Sequence, residues 1–421
     1  MNLLLINFFA YLIWLLITIK KEKRLTSYSL LIAMYTVIAF LGYYTVKTGI
    51  YYNTFGYYSP NTLQAEPYIY AFIGYFILFL PFYKIRSNID KVSFIFNKDT
   101  KVFVNFWIII YILYTILKLS EAVIAVSTGL ADMYEARHIE GVQLFTYDPI
   151  IDKFNGYSSF FLTASTPFMM LYSLLGIANK KVTTFKGVLI ICLCFLPELF
   201  GDIGMGSRGA MFMTLLCFLF FVFLFAKQLP RRFIKNIFII IVSFAVVVLV
   251  YSWAITVGRM GSSGGMESIF RYFGESFPNL GWTIWGNATY HPMGERFFPT
   301  LWGNKLVTSM SVDEAYQYWS TMTGVPVLNF KTYYGDLYVE FGEYGAFVFL
   351  MLTSIPIYLY FKRKGVTIFN FSYLYLYFQL CVFAFSGYTK TDWGFIFQLI
   401  ITTSFVVFLK WMYRKRGRIN A

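Results

Sequence analysis

The sequence predicts an all-α polytopic membrane protein, on three observations. The 421 residues are 58% hydrophobic and only 13% charged, too apolar for a soluble fold to hide. The apolar runs recur at about the 20 residues that a helix needs to cross ~30 Å of hydrocarbon. Alternating barrel strands of roughly ten residues are missing, so the backbone inside lipid must be satisfied within helices.

About eleven spans follow in order: 2–19, 27–46, 67–83, 102–117, 158–178, 187–200, 209–226, 236–257, 346–361, 367–387 and 395–409. The sixth is short for a full crossing. The first has no basic n-region and no small-residue cleavage site, which argues against a signal peptide. Orientation is set by Lys and Arg in the connections. Alternate connections and the C-terminal tail hold 24 of the 35 basic residues, among them Lys20, Lys91, Lys180, Arg231, Arg363 and Arg414, with only Glu22, Asp90 and Asp99 for company. That side is cytoplasmic, so the N-terminus lies outside and the C-terminus inside. The net charge of +14 is then a topology signal and not a nucleic-acid footprint.

The chain 1–421 reads as one integral membrane domain, with no Pro/Ser linker, low-complexity run or repeat. Three outer segments stand out: the loop 118–157, the tight connection 201–208 and the large extracytoplasmic loop 258–344. The large loop is too aromatic for disorder. Ser311-Val-Asp-Glu314 has the pattern of a capping box, and Ala315, Trp319 and Met322 follow at helical spacing. Met266, Ile269, Phe270 and Phe273 form a second such stripe. Both predict short helices on the membrane surface; the plainer reading is that they plug the outer end of the bundle.

No charged residue falls near the middle of a span, and Glu198 sits towards an end. A centred charge costs about 2.5–3.5 kcal/mol on insertion scales. Ion-coupled transporters usually carry one, so the pattern counts against proton or sodium coupling. Cys192, Cys194, Cys217 and Cys381 all lie in spans, which leaves no disulfide framework for the outer loops.

Chemistry is therefore sought outside the membrane. Gly206-Ser207-Arg208-Gly209 joins two spans and puts Arg208 at a helix N-terminus, where backbone amides favour an anion and a guanidinium fork suits phosphate oxygens. Arg259 and Arg271 flank the glycine cluster Gly261 to Gly265. With Arg208 they form a candidate pyrophosphate site. The plainer readings are a snorkelling arginine and loop charges paired with Glu267 and Glu275. The two histidines, His138 beside Arg137 and His291 in Tyr290-His-Pro-Met-Gly-Glu-Arg296, are candidate bases, or simply hydrogen-bonded surface residues. Two isolated histidines make no zinc motif. Tyr333-Tyr-Gly-Asp-Leu-Tyr-Val-Glu-Phe-Gly-Glu-Tyr-Gly345 leads into the ninth span and puts Asp336 and Glu340 on one helix face. Carboxylates beside tyrosines suit sugar hydroxyls; the plainer reading is an interfacial aromatic belt with solvated acids. There is no P-loop, no dinucleotide fingerprint and no Gly-x-Ser-x-Gly elbow, so no cofactor and no metal are expected.

The Gly-Ser-Arg-Gly turn, the long late outer loop and the Tyr-Gly-Asp…Glu-Phe-Gly-Glu-Tyr-Gly lead-in together resemble the bacterial oligosaccharide repeat-unit polymerases (Wzy-type O-antigen or capsule polymerases). The layout is similar over nearly the whole chain, and the motifs over about 200–210 and 255–345. The resemblance implies a multi-pass glycosyltransferase of the bacterial plasma (inner) membrane. It would move a growing glycan from undecaprenyl pyrophosphate onto a new lipid-linked repeat unit, with inversion, on the outer face. Arg208, Arg259 and Arg271 would hold the donor pyrophosphate. His291, Asp336 or Glu340 would activate the acceptor hydroxyl; O-antigen ligases have a similarly placed histidine in their large outer loop. Arg137, His138, Arg296 and Tyr334 would contact substrate. Partners would be undecaprenyl-pyrophosphate-linked glycans, the bilayer, a chain-length regulator and a flippase of the same pathway, and no nucleic acid. Two alternatives stand beside this: an O-antigen ligase, and a polysaccharide-unit flippase or exporter.

Overall fold

The computed structural model describes residues 2–23, 25–55, 62–85, 94, 96–129, 148–204, 209–260, 265–299, 302–310, 312–327, 330–386 and 393–414. Among these the regular structure is all helical, with no strand. Each of the eleven expected spans falls on a helix: α1 (Asn2–Glu22), α2 (Ser27–Lys47), α4 (Glu66–Ile85), α5 (Lys98–Thr128), α6 (Pro149–Ala178), α7 (Thr184–Gly204), α8 (Gly209–Phe225), α9 (Arg231–Met260), α14 (Thr332–Lys364), α15 (Phe371–Phe383) and α16 (Trp393–Arg414), with α3 (Ile50–Phe55) between the second and third. Seven of them, α1, α2, α4, α5, α6, α7 and α14, are long and apolar enough to cross a membrane. Shorter apolar helices lie over Leu215–Phe225, Phe371–Phe383 and Phe397–Tyr413. The protein is a multi-pass helical membrane protein.

Local chemistry fixes several of the helix starts. Thr26 and Ser29 cap α2 reciprocally, Asn97 accepts from the Thr100 amide at 2.8 Å, and Asp148 caps α6 with Pro149 in its first turn. Helices also run further than hydropathy predicts. The short sixth span is a helix of 21 residues, Thr184–Gly204. The fourth continues to Thr128, into what the sequence assigns to the outer loop 118–157. It continues because its two charges answer each other: Lys118 Nζ lies 2.9 Å from both oxygens of Glu121, and Nζ stands 5.4 Å from the Tyr114 ring centroid. Both side chains are buried.

The chain packs as two compact units, each built from separate stretches of sequence. The first comprises Met1–Ser87, Met266–Gly365 and Gln379–Ile396. In it α1 lies along α2, and α14 along α4. Gly74 permits the second contact, because a Cβ there would stand 3.2 Å from both Leu350 and Tyr334. Tyr11, Tyr35, Tyr75, Phe79 and Phe277 form an aromatic interior. Two of its hydroxyls find backbone acceptors, Tyr35 on Cys381 at 2.9 Å and Tyr75 on Ala384 at 2.8 Å, while that of Tyr11 has no partner among the described residues.

The second unit comprises Asn88–Gly265, Val366–Phe378 and Phe397–Ala421. Here α7 packs between α5 and α6. Tyr111 donates within a buried hydroxyl cluster, 2.9 Å from the Leu162 carbonyl and 2.7 Å from Thr166. Phe220 stacks on Phe378 with ring centroids 3.9 Å apart.

The stretch read as a large outer loop is mostly ordered helix within the first unit. It holds α10 (Gly265–Gly274), α11 (Ser276–Asn279), a π-turn over Leu280–Ile284, α12 (Lys305–Ser309) and α13 (Val312–Thr323). The stripe Met266–Phe273 is not a free surface face. Phe270 meets Tyr44 edge-on at 5.5 Å and Phe273 packs on Phe385. Gly274 closes on the backbone of α2, where a Cβ would come 2.7 Å from the Leu41 carbonyl oxygen. Gly274→Ala therefore pushes two helices apart and costs about 1–3 kcal/mol, read as earlier thermal unfolding. Gly156→Ala, whose Cβ meets nothing within 4 Å, leaves the melt in place. In the second stripe Ala315 and Trp319 pack into a small core with Ile284, Val307, Val325, Val327 and Val339, while Met322 stays exposed. The capping box expected at Ser311 lies outside the described residues.

Candidate functional site

The lead-in to the ninth span is the opening of α14, and it is broken at Gly342. That residue has φ 71° and ψ −175°, a conformation that costs L side chains energy and glycine little. A break in a helix strands the carbonyls just before it. The segment 291–296 takes them up: His291 Nδ1 lies 3.0 Å from the Val339 oxygen, and the Met293 amide donates to Glu340 at 2.8 Å.

Asp336 and Glu340 share one face of this first half-helix, as their spacing predicts. Arg296 spans both. Its Nη2 is 2.6 Å from Asp336 Oδ1 and its Nε 2.9 Å from Glu340 Oε2. Glu340 Oε1 also accepts from the amides of Gly294 at 2.7 Å and Arg296 at 3.2 Å. Lys331 joins at 3.5 Å from Asp336 Oδ1 and donates to the Val327 carbonyl at 2.5 Å. Two cations thus balance two carboxylates; Lys331, Asp336 and Glu340 are buried and the Arg296 side chain is 11% exposed. Burial pulls the Arg296 guanidinium down, but Asp336 and Glu340 more than offset it and leave it raised. Burial pushes the Lys331 ammonium down to about 8, against the pull of Asp336. With so many donors already on them, the two carboxylates act as anchors for the 291–296 loop, unlike the proton acceptors expected from the sequence.

His291 is half-buried at the edge of this network. A carbonyl oxygen can only accept, so Nδ1 carries a proton in the contact with Val339, and in the neutral ring the lone pair is then on Nε2. The ring meets Tyr338 edge-on at 5.7 Å. Tyr338 in turn stacks on Trp285 at 4.6 Å, and Trp285 on Tyr70 at 5.4 Å. A Cβ on Gly342 would stand 3.5 Å from Cδ2 and Nε2 of His291 and 3.9 Å from Cε1. The three distances put that Cβ over the face of the imidazole, so the missing side chain lets the ring lie flat against the break.

The other expected residues are placed as follows. Arg296, expected to touch substrate, is the centre of the ion-pair network. Tyr334 is buried: its ring stacks on Tyr70 at 6.0 Å, and its hydroxyl donates to the Glu343 carbonyl at 3.1 Å. Arg271 lies on α10 with its Nε 3.7 Å from Glu275 Oε2. Arg259 is in the last turn of α9. Arg137, His138 and Arg208 lie outside the described residues. Among the described residues no group of three or more His, Cys, Asp or Glu is arranged to hold a metal. Lys331, Gly294 and Gly342 went unnoticed in the sequence; the only signal for Gly342 was its place in Glu-Phe-Gly-Glu.

Burial raises the Glu275 carboxyl from 4.5 to about 7, against the lowering pull of Arg271. An acid whose folded pKa is raised stabilises the fold below its unfolded value and loses that contribution as pH rises through the folded one. Stability should therefore fall between pH 4.5 and about 7, by about 3 kcal/mol for the full shift. Glu275→Gln should flatten that part of the pH–stability curve in thermal melts.

A scan of protein-family models finds no match to the chain. No curated protein and no solved structure matches it either.

Proposed function

We propose that this chain is a glycosyltransferase that polymerises undecaprenyl-pyrophosphate-linked oligosaccharide repeat units into O-antigen or capsular polysaccharide. It would act on the outer face of a bacterial plasma membrane, with the N-terminus outside and the C-terminus inside. The observation that carries the reading is His291. Its Nδ1 contacts a backbone carbonyl, its ring lies against the side-chain-free Gly342, and its loop is fixed by the Arg296 network. That is what a general base for a sugar hydroxyl needs. The acceptor hydroxyl gives its proton to Nε2 as its oxygen bonds to the donor anomeric carbon. The bond from that carbon to the pyrophosphate oxygen breaks, and polyprenyl pyrophosphate leaves with the electron pair. In this reading Arg208, Arg259 and Arg271 hold and stabilise the leaving group. The missing nucleotide motifs agree with a donor activated by lipid pyrophosphate.

One observation favours a transporter as the second reading. Lys118 and Glu121 form a buried pair within a long apolar helix, and ionisable groups at such depth often mark transport paths. Each is fully answered by the other, which favours the enzyme.

The test is the surface-glycan profile of cells lacking the gene. Single repeats in place of a ladder, with the ladder restored by the wild-type gene and not by Arg208→Ala, support the polymerase. Full-length glycan accumulating on its lipid carrier outside the membrane identifies a ligase. Lipid-linked repeats trapped inside identify a flippase and overturn the enzyme reading.

A further inference from the structure

The loop after His291 is built to present one indole ring. The Phe298 amide donates back to Gly294 at 2.8 Å, and the Trp302 amide to Phe298 at 3.1 Å. The chain therefore returns over its own start, and Trp302 lies on Gly294. A Cβ on Gly294 would stand 3.1 Å from Trp302 Nε1, and the φ of 102° there already favours glycine. Gly294 is itself anchored, its amide donating to Glu340 Oε1. Asn304 completes the staple, with its amide nitrogen 2.6 Å from Glu295 Oε1 and its oxygen accepting from Val307 at 3.0 Å. Held this firmly, Trp302 is nevertheless 61% exposed, and Met293 beside it 56%.

A large ring fixed in place and left open marks a contact surface. The polar groups around it narrow the choice. Glu295 has a second carboxylate oxygen with no partner among the described residues, and Asn304 has an amide hydrogen beyond the one given to Glu295. A flat apolar face rimmed by a carboxylate and an amide matches a sugar ring, which has C–H faces and hydroxyl edges. A lipid chain would gain nothing from the rim. α12 is five residues long, too short to lie in a bilayer surface as an amphipathic helix.

We propose that Trp302, rimmed by Glu295 and Asn304, is a saccharide-binding subsite. It rests on the reading of the protein as a glycan polymerase and adds where a sugar of the substrate is held. The subsite shares its loop with His291, so a sugar seated there is carried by the same anchors that fix the base.

The test is calorimetric titration of the full-length protein in lipid nanodiscs. The probe is the oligosaccharide fraction released by mild acid from the lipid-linked glycans of the cells that express it. Trp302→Ala should weaken binding about tenfold, with an unchanged thermal melt. Trp302→Phe, which keeps a ring, should retain most of the affinity. The readout is binding and not transfer, so the subsite is judged independently of the chemistry. Equal binding by Trp302→Ala and the wild type overturns the proposal, as does the absence of saccharide binding by the wild type. Fluorescence quenching by brominated lipids that disappears in Trp302→Phe would also overturn it, because the indole would then lie in the membrane.

Discussion

Arg296→Met is expected to destabilise the protein by about 3–5 kcal/mol, the usual cost of removing one partner from a buried ion pair. Measured by thermal unfolding of the purified protein, this should be the largest stability loss of any single substitution in the 291–296 loop. Arg296 is the group that both carboxylates share, at 2.6 Å from Asp336 and 2.9 Å from Glu340. Without it the two carboxylates lose the cation they share, and the Lys331 ammonium stands 3.5 Å from Asp336 alone. Arg296→Lys should recover little, since a single ammonium cannot reproduce a fork that contacts two side chains and the Asp336 carbonyl at 3.2 Å. A variant with Arg296, Lys331, Asp336 and Glu340 all replaced by apolar residues of similar size should regain most of the stability, because it leaves no unpaired charge. A wild-type melt for Arg296→Met would show that the network does not hold the loop.

The helices and the shared face of Asp336 and Glu340 were legible in the sequence for the same reason. Both follow from local periodicity, which the helix itself enforces. What those carboxylates meet was not legible. Arg296 lies 40 residues before Asp336 and 44 before Glu340, and only the tertiary path of the intervening chain brings it back. With solvated acids as the plain expectation and a free base as the functional one, the sequence offered no hint of an internal clamp. The stripe Met266–Phe273 was legible as a helix, but what it packs against was not. Its burial depends on Gly274 closing against Leu41, and nothing around a lone glycine tells which backbone it will approach. The break at Gly342 was hidden for a similar reason: glycine permits a positive φ, but the residues around it continue a helical pattern on both sides. The extended fourth span was missed because Lys118 and Glu121 look like an exit into water when counted singly, and become tolerable inside only as a pair.

His291→Ala is expected to lower the transfer rate by about 10²–10⁴-fold, the usual contribution of a positioned general base. The measurement is incorporation of repeat units by purified protein, with a melt to confirm that the fold persists. Persistence is expected because the residue contributes one hydrogen bond and an edge contact at the rim of the network, while Arg296 and the Met293 and Gly294 amides still pin the loop. A structural role would predict the reverse pattern, a lowered melt with a rate that follows the folded fraction. Gly342→Ala probes the same ring. Its methyl would stand 3.5 Å from Nε2 and would force an L residue to a φ of 71°, at a strain of roughly 1–3 kcal/mol. The rate should fall by more than that strain alone removes from the folded population, because the methyl presses on the face of the ring and shifts the base. If Gly342→Ala transfers at full rate while His291→Ala does not, the base tolerates a displaced ring. If both transfer at full rate, His291 is no base.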